Sequence, residues 1–443
     1  MTKRIACFTG FKAPTDETVG VKGDCPPEVM ELISQLAEGS WEIDLYCVVE
    51  NLFELQVTQK QAGIRIIQVP YDVSAGISPA EKQPDRFVEV VKDFITLDKV
   101  QYDLVYTAQL SSAPAAIALK DDLKIPLVFA LSDQEHTARF KEAAGMSAGT
   151  GKLEQQIVRR ADLVIVENQH TKAEIVEEHA ASFKKIFVVP GGINPEDFNP
   201  ANKIAAKTKL QGDSKGHMLL HVAGLEEPGS IDTIIKAMAL LDAANREISL
   251  FVIHDDSRAG YLNNDDEQVR LVSIAQDLGL SKYVNFVALN GQSALRDYYA
   301  AADILVTAPG NQAEGMSALQ AMAVGTPVIG SDASANNLGV LDGKTGFLVP
   351  TKAAEVLADR IGLILRNEAL LNQMRRNSVK HVRENFSWAQ VADQMEDLFD
   401  YVILTKGKKE LPMQNRTRGS VNRSNPARSL SLKRNILARY GNS

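Results

Sequence analysis

Apolar and polar positions follow two alternating patterns along most of the chain. One is the brief, mainly apolar run rich in β-branched residues: Ile5–Phe8, Ile43–Val49, Ile64–Val69, Leu104–Tyr106, Leu127–Ala130, Leu163–Val166 and Ile186–Val189. Runs this short and apolar predict strands buried on both faces, as in a parallel sheet. The other is the amphipathic segment. In Pro27–Glu38, Val29, Met30, Ile33 and Leu36 fall on one helical face, and Gly39 follows as a stop. A break comes at Pro190-Gly191-Gly192-Ile193-Asn194-Pro195 and Asn199-Pro200, dense in turn formers. The alternation then restarts. Met218–Val222, Leu250–Ile253, Val284–Val287, Ile304–Thr307, Pro327–Gly330 and Gly346–Val349 read as strands, with helices at Ile231–Leu241, Glu267–Leu278 and Ala353–Leu365. Two successive βα series predict an α/β protein with two doubly wound, Rossmann-like domains, residues 1–200 and 201–383, facing each other across a cleft.

Composition narrows the class. Apolar residues make up 45% and charged residues 23% of the 443, the balance of a water-soluble globular protein of two or three domains. The formal net charge of −8 argues against a nucleic-acid partner. The three cysteines, Cys7, Cys25 and Cys47, form no Cys-x-x-Cys pair. Neither a disulfide framework nor a zinc site is expected, and a reducing cytoplasm suits the chain. The first apolar run is too short for a signal peptide, and no run reaches the length of a membrane span. From Lys406 onward there are ten Lys or Arg and one acid, Glu410. Residues 405–443 therefore read as a basic, disordered tail, and without it the rest of the chain stands near −17. Ser429–Tyr440 has the spacing of a short basic amphipathic helix, suited to a protein partner or an anionic membrane surface, which would make the protein peripheral at a membrane.

The segment Ala302–Ile329 carries the chemistry. It runs from a strand through Pro309-Gly310-Asn311-Gln312-Ala313-Glu314-Gly315 into Met316-Ser317-Ala318-Leu319-Gln320-Ala321-Met322 and on to Gly325-Thr326-Pro327. A glycine at a helix start lets backbone approach a ligand, and the free N–H groups and positive helix end favour phosphate. Gly315, Met316 and Ser317 are the donors so placed. This segment resembles the donor site of the retaining glycosyltransferase family 4, without a gap. Asp342-Gly343-Lys344-Thr345-Gly346-Phe347-Leu348-Val349-Pro350, Ser387-Trp388, and Val188–Ile193 with Phe198-Asn199-Pro200 match further family motifs.

The resemblance implies the GT-B fold, a last helix at 384–404 that returns to the first domain, and transfer of a sugar from a nucleotide-sugar donor to an acceptor with retention of configuration. The acceptor would bind near Lys12–Asp24 and Ser132–His136. No metal and no cofactor beyond the donor is implied. Several family positions are changed. Gln312 and Gln320 stand where the family has two Glu, one beside the donor sugar and one on the ribose. Glu314 is a stand-in for the first. Gly224 and Gly229 replace the Arg and Lys that clamp the diphosphate, in a loop made acidic by Glu226 and Glu227. Arg258 and Lys344 are the candidate replacement cations. Ser132 stands where a His points at the sugar, and His136 follows four residues on. His254-Asp255 replaces a glycine-rich loop without a third ligand at useful spacing for a metal. These changes leave a second reading open: a non-catalytic interaction or scaffold subunit that kept the fold and lost the donor chemistry.

Overall fold

The computed structural model describes residues 2–9, 25–50, 55–71, 84–132, 150–200, 202–210, 216–222, 231–241, 248–255, 264–289, 292–307, 314–332 and 339–406. The chain divides into two compact units, Met1–Pro190 with Trp388–Ser443, and Gly191–Ser387.

The first unit is built on β1 (Lys3–Phe8), β2 (Trp41–Glu50), β3 (Gln56–Gln61), β4 (Ile64–Tyr71), β5 (Leu104–Thr107), β6 (Leu127–Leu131), β7 (Leu163–Val166) and β8 (Ile186–Val188). They form one sheet in the order β3-β4-β2-β1-β5-β6-β7-β8. All neighbours are parallel except the β3–β4 hairpin. That hairpin turns through Gly63 at φ +79°, a backbone shape suited to glycine. Its outer strand, Gln-Val-Thr-Gln-Lys-Gln, is exposed throughout, as a polar edge strand should be. The helices are α1 (Pro27–Glu38), α2 (Pro84–Asp98), α3 (Ala113–Leu123), α4 (Thr150–Arg160) and α5 (Gln169–His179). Helices α2 to α5 bury one sheet face, and α1 covers the other.

The second unit holds α6 (Lys203–Lys209), β9 (His217–Val222), α7 (Ile231–Leu240), β10 (Ile248–Asp255), α8 (Asn264–Asp277), β11 (Val284–Leu289), α9 (Gln292–Ala301), β12 (Ile304–Val306), α10 (Glu314–Val324), β13 (Val328–Ser331), β14 (Gly346–Val349), α11 (Ala354–Arg366) and α12 (Glu368–Asn385). Its sheet, β11-β10-β9-β12-β13-β14, is parallel throughout. Helices α7, α8 and α11 cover one face, and α9 and α10 the other. At Gly346 a Cβ would lie 1.8 Å from the Val328 carbonyl oxygen. Only glycine lets β14 start this close to β13.

Helix α13 (Trp388–Lys406) belongs to the first unit. Trp388, Val391, Met395, Leu398, Phe399 and Val402 enter the same core as Val29, Leu32, Ile33 and Leu36 of α1. Phe399 meets Trp41 edge-on at 5.7 Å and tilts over Tyr106 at 5.6 Å. The basic tail beyond residue 406 lies outside the described residues.

Candidate functional site

In the second sheet the chain first builds outward through β9, β10 and β11, then returns to the other side of β9 to add β12, β13 and β14. The order reverses between β9 and β12, and in open parallel sheets ligands sit outside the carboxyl ends of the strands at such a point. Leu219 and Leu220 of β9 pair with Ile304 and Leu305 of β12. The segments leaving Val222 and Thr307 therefore start side by side. They carry Gly224 and Gln312 respectively, which lie outside the described residues, as do Arg258 and His136.

Helix α10 opens at Glu314 on this edge, so its first-turn N–H groups and positive end face the strand ends. Gly315 is buried, and Met316 and Ser317 are half-buried. Ala318, Leu319, Ala321, Met322 and Val324 anchor the helix in the core. Gly191 sits close enough to α10 that a Cβ there would stand 3.0 Å from the Met316 methyl carbon.

Gln320 is one turn further along α10 and half-buried. Its Oε1 accepts a hydrogen bond from the Tyr299 hydroxyl at 3.2 Å. Tyr299 is fully buried. Burial drives its hydroxyl pKa far above the usual range, against a hydrogen bond with Ser317 that lowers it. It stays a neutral donor at any working pH. With Oε1 accepting this bond, the Gln320 NH2 remains as a donor, which a carboxylate could not supply.

His221 was not among the residues that spacing singled out. It lies at the carboxyl end of β9, 1% exposed. Because a carbonyl only accepts, its Nδ1 carries the proton donated to the Val306 oxygen at 2.8 Å. Burial lowers its pKa, opposed by that backbone bond, so the ring is neutral. Its Nε2 is buried and has no partner among the described residues. Only the tertiary fold reveals this, because a His inside an apolar strand reads as core.

Lys344 is not brought to this edge. It lies in the turn before Gly346, where its N–H donates to the Leu341 oxygen at 2.9 Å and its oxygen accepts from Asn377 at 3.0 Å. Gly346 pairs with Val328, the first residue of β13, so the turn sits at the amino ends of the strands. A parallel connection must bring the chain back to that end. In the first unit, Ser132 follows β6 and is half-buried. Among the described residues one cluster has metal-ligand types: Glu154, Glu178 and His179, in the first unit. Its buried members are already joined, His179 Nε2 to Glu154 Oε1 at 2.6 Å.

The start of α10 offers free N–H groups of the kind that bind phosphate, and Gln320 lies one turn along the same helix. Comparison with known proteins gives a consistent picture. The family described as Glycosyltransferase Family 4 matches residues 29–197, and the family described as Glycosyl transferases group 1 matches residues 202–381. The D-inositol 3-phosphate glycosyltransferase of Corynebacterium glutamicum (strain R) is 26% identical over 409 residues, covering 90% of this chain and 97% of its own. That of Nocardia farcinica is 28% identical over 407 residues, covering 88% and 87%. Among solved structures, sucrose-phosphate synthase from Thermosynechococcus elongatus has a TM-score of 0.65 at 23% identity, with 91% of this chain and 99% of that chain covered. Anabaena HepE in complex with UDP has a TM-score of 0.63 at 16% identity, with 90% and 99% covered. The fold is GT-B. No helix among the described residues is long and apolar enough to cross a membrane.

Proposed function

This chain belongs with the family 4 and group 1 glycosyltransferases, and from that premise we propose that it transfers a sugar from a nucleotide-sugar donor to an acceptor with retention of configuration, holding the donor on the second unit. The observation that carries the reading is the start of α10 at the strand-order reversal, with Gln320 fixed by Tyr299 one turn along. The N–H groups of Gly315, Met316 and Ser317 take the diphosphate, and the positive helix end offsets the charge that grows on it as the glycosidic bond breaks. The Gln320 NH2 donates to a ribose oxygen. Gln312 and Glu314 are the motif's candidates for the sugar, and Gly224 for the phosphates. Arg258 and His136 are the remaining candidates, for phosphate and sugar respectively. The reading calls for no metal, the helix N–H groups offsetting part of the phosphate charge.

This donor site has fewer charges than the family pattern. Without Arg and Lys at 224 and 229, leaving-group stabilisation is lower by about a hundredfold per missing group. We therefore propose a slow transferase. Gly224 and Gly229 equally favour the second reading, a scaffold subunit without turnover. Because the similar proteins from Corynebacterium and Nocardia are named for D-inositol 3-phosphate, that compound and sugar phosphates are the first acceptors to try. The basic tail would dock on a protein partner or an anionic membrane surface, with the protein cytoplasmic and peripheral.

The test is a thermal-stability titration with UDP-, GDP- and ADP-sugars. A ligand at a hundred times its dissociation constant adds about 2.7 kcal/mol. One donor series should raise the melting temperature of the full chain, and no shift with any of them rejects the transferase reading.

A further inference from the structure

A second basic feature lies at the other end of α10. The helix starts at the strand carboxyl ends and finishes at Val324, ahead of Gly325-Thr326 and β13. Its ten-residue rise separates the two ends by about 15 Å. Around this finish, the last turn of α9, the start of α6 and one face of α12 border an open concave pocket of about 590 Å³. Its charged lining is Lys203, Arg375, Arg376, Lys380, Arg383 and Glu384, five cations and one acid. All lie within the second unit. Outside the basic tail the chain stands near −17, so this concentration of positive charge runs against the rest of the protein.

The cations are unequally satisfied. Lys203 is paired with Asp303, which Lys207 and His217 also approach, at 3.6 and 3.7 Å. Lys380 reaches Glu384 only at 3.9 Å. Arg375 is half-buried. Its Nη2 donates to the Ala302 oxygen at 3.3 Å, while its Nε is buried without a partner among the described residues. Burial pulls its pKa down, with Asp303 acting the other way. A guanidinium removed from water with a single long bond to a carbonyl is under-compensated. Arg376 and Arg383 stand exposed on the rim. A planar guanidinium fork suits phosphate oxygens.

We propose that this pocket binds a small, multiply charged phosphate ester or diphosphate, at a site separate from the donor helix start. The half-buried Arg375 sits at the base, and Arg376, Lys380 and Arg383 close over the anion. Glu384, the one acid, already leans toward Lys380, which limits its repulsion.

The probe is sodium pyrophosphate, titrated calorimetrically into the full chain at constant ionic strength set by sodium chloride. The expected result is saturable binding that weakens more than about tenfold in R376E/R383E, the loss of roughly one charge-assisted contact or more. Both side chains are exposed, so the variant should keep the wild-type melting temperature. R375K, which keeps the charge and removes the fork, should weaken binding as well. Unchanged affinity in R376E/R383E would place pyrophosphate at the α10 start instead and overturn the proposal. Binding of phosphatidic-acid vesicles that depends on Arg376 and Arg383, with no binding of soluble pyrophosphate, would also overturn it by making the pocket a membrane contact.

Discussion

Replacing Gln320 with Ala separates the structural part of this residue from its functional part. In the structure the Gln320 Oε1 accepts from the Tyr299 hydroxyl at 3.2 Å. Truncation removes that acceptor from a fully buried group. Tyr299 keeps its interaction with Ser317, so the hydroxyl is not stranded, and the loss should be near the ordinary net value of about 1 kcal/mol. In a unit of this size that is a fall of roughly 2–4 °C in melting temperature. If the amide NH2 also donates to the donor's ribose, nucleotide affinity falls by a further contact, about fivefold to tenfold. Gln320→Glu keeps an acceptor for Tyr299 and should retain stability. The assay is a pair of melting curves and a nucleotide titration for each variant. Lower stability with unchanged affinity in Gln320→Ala would refute the ribose role and leave Gln320 as a partner of Tyr299 alone.

Gly346→Ala forces a Cβ into the Val328 carbonyl, a backbone group with no rotamer to yield. Chemical denaturation should show a loss of about 1–3 kcal/mol or more, and a wild-type midpoint would contradict the close approach. Asp303 is 1% exposed. Desolvation raises its pKa, but His217, Lys203 and the Met218 N–H together outweigh that and hold it well below the carboxylate range. Its stabilisation is therefore complete above about pH 4 and fades as the pH falls toward the folded pKa. The stability gap between wild type and Asp303→Asn should be wide at pH 6 and close below pH 4, whereas a constant gap would argue against the ion pairs. Gly224→Arg with Gly229→Lys should raise kcat/KM by on the order of tenfold or more if the missing cations limit the rate. No gain would show that the helix end already suffices.

The strands were legible because buried parallel strands are apolar at most positions. Ile43–Val49 within β2 and Gly346–Val349 as β14 show this, the exception being Asp44, a buried carboxylate that Arg65 holds at 2.7 Å. Strand β3 was not, since its polar, exposed residues are held by pairing with β4 and not by a core. The start of α10 was readable from Gly315 and the motif around it. Its surroundings were not. The Tyr299–Gln320 bond, the approach of Met316 to Gly191 and the His221–Val306 bond join residues apart in sequence. Lys344 illustrates the converse: motif spacing offered it as a substitute cation, and the parallel return to β14 carries it to the opposite edge. The basic pocket was hidden for a similar reason. Arg375, Arg376, Lys380 and Arg383 look like the solvated face of a helix until α6 and α9 are placed beside them.

The central claim is that the second unit holds a nucleotide-sugar through the start of α10 and breaks its glycosidic bond. The most direct measurement is release of nucleoside diphosphate from UDP-, GDP- and ADP-glucose by the full chain, with and without inositol 3-phosphate as acceptor. The account predicts slow release from one donor, accelerated by an acceptor and reduced in Gln320→Ala. No release above the uncatalysed rate from any nucleotide-sugar, with or without acceptor, would contradict it.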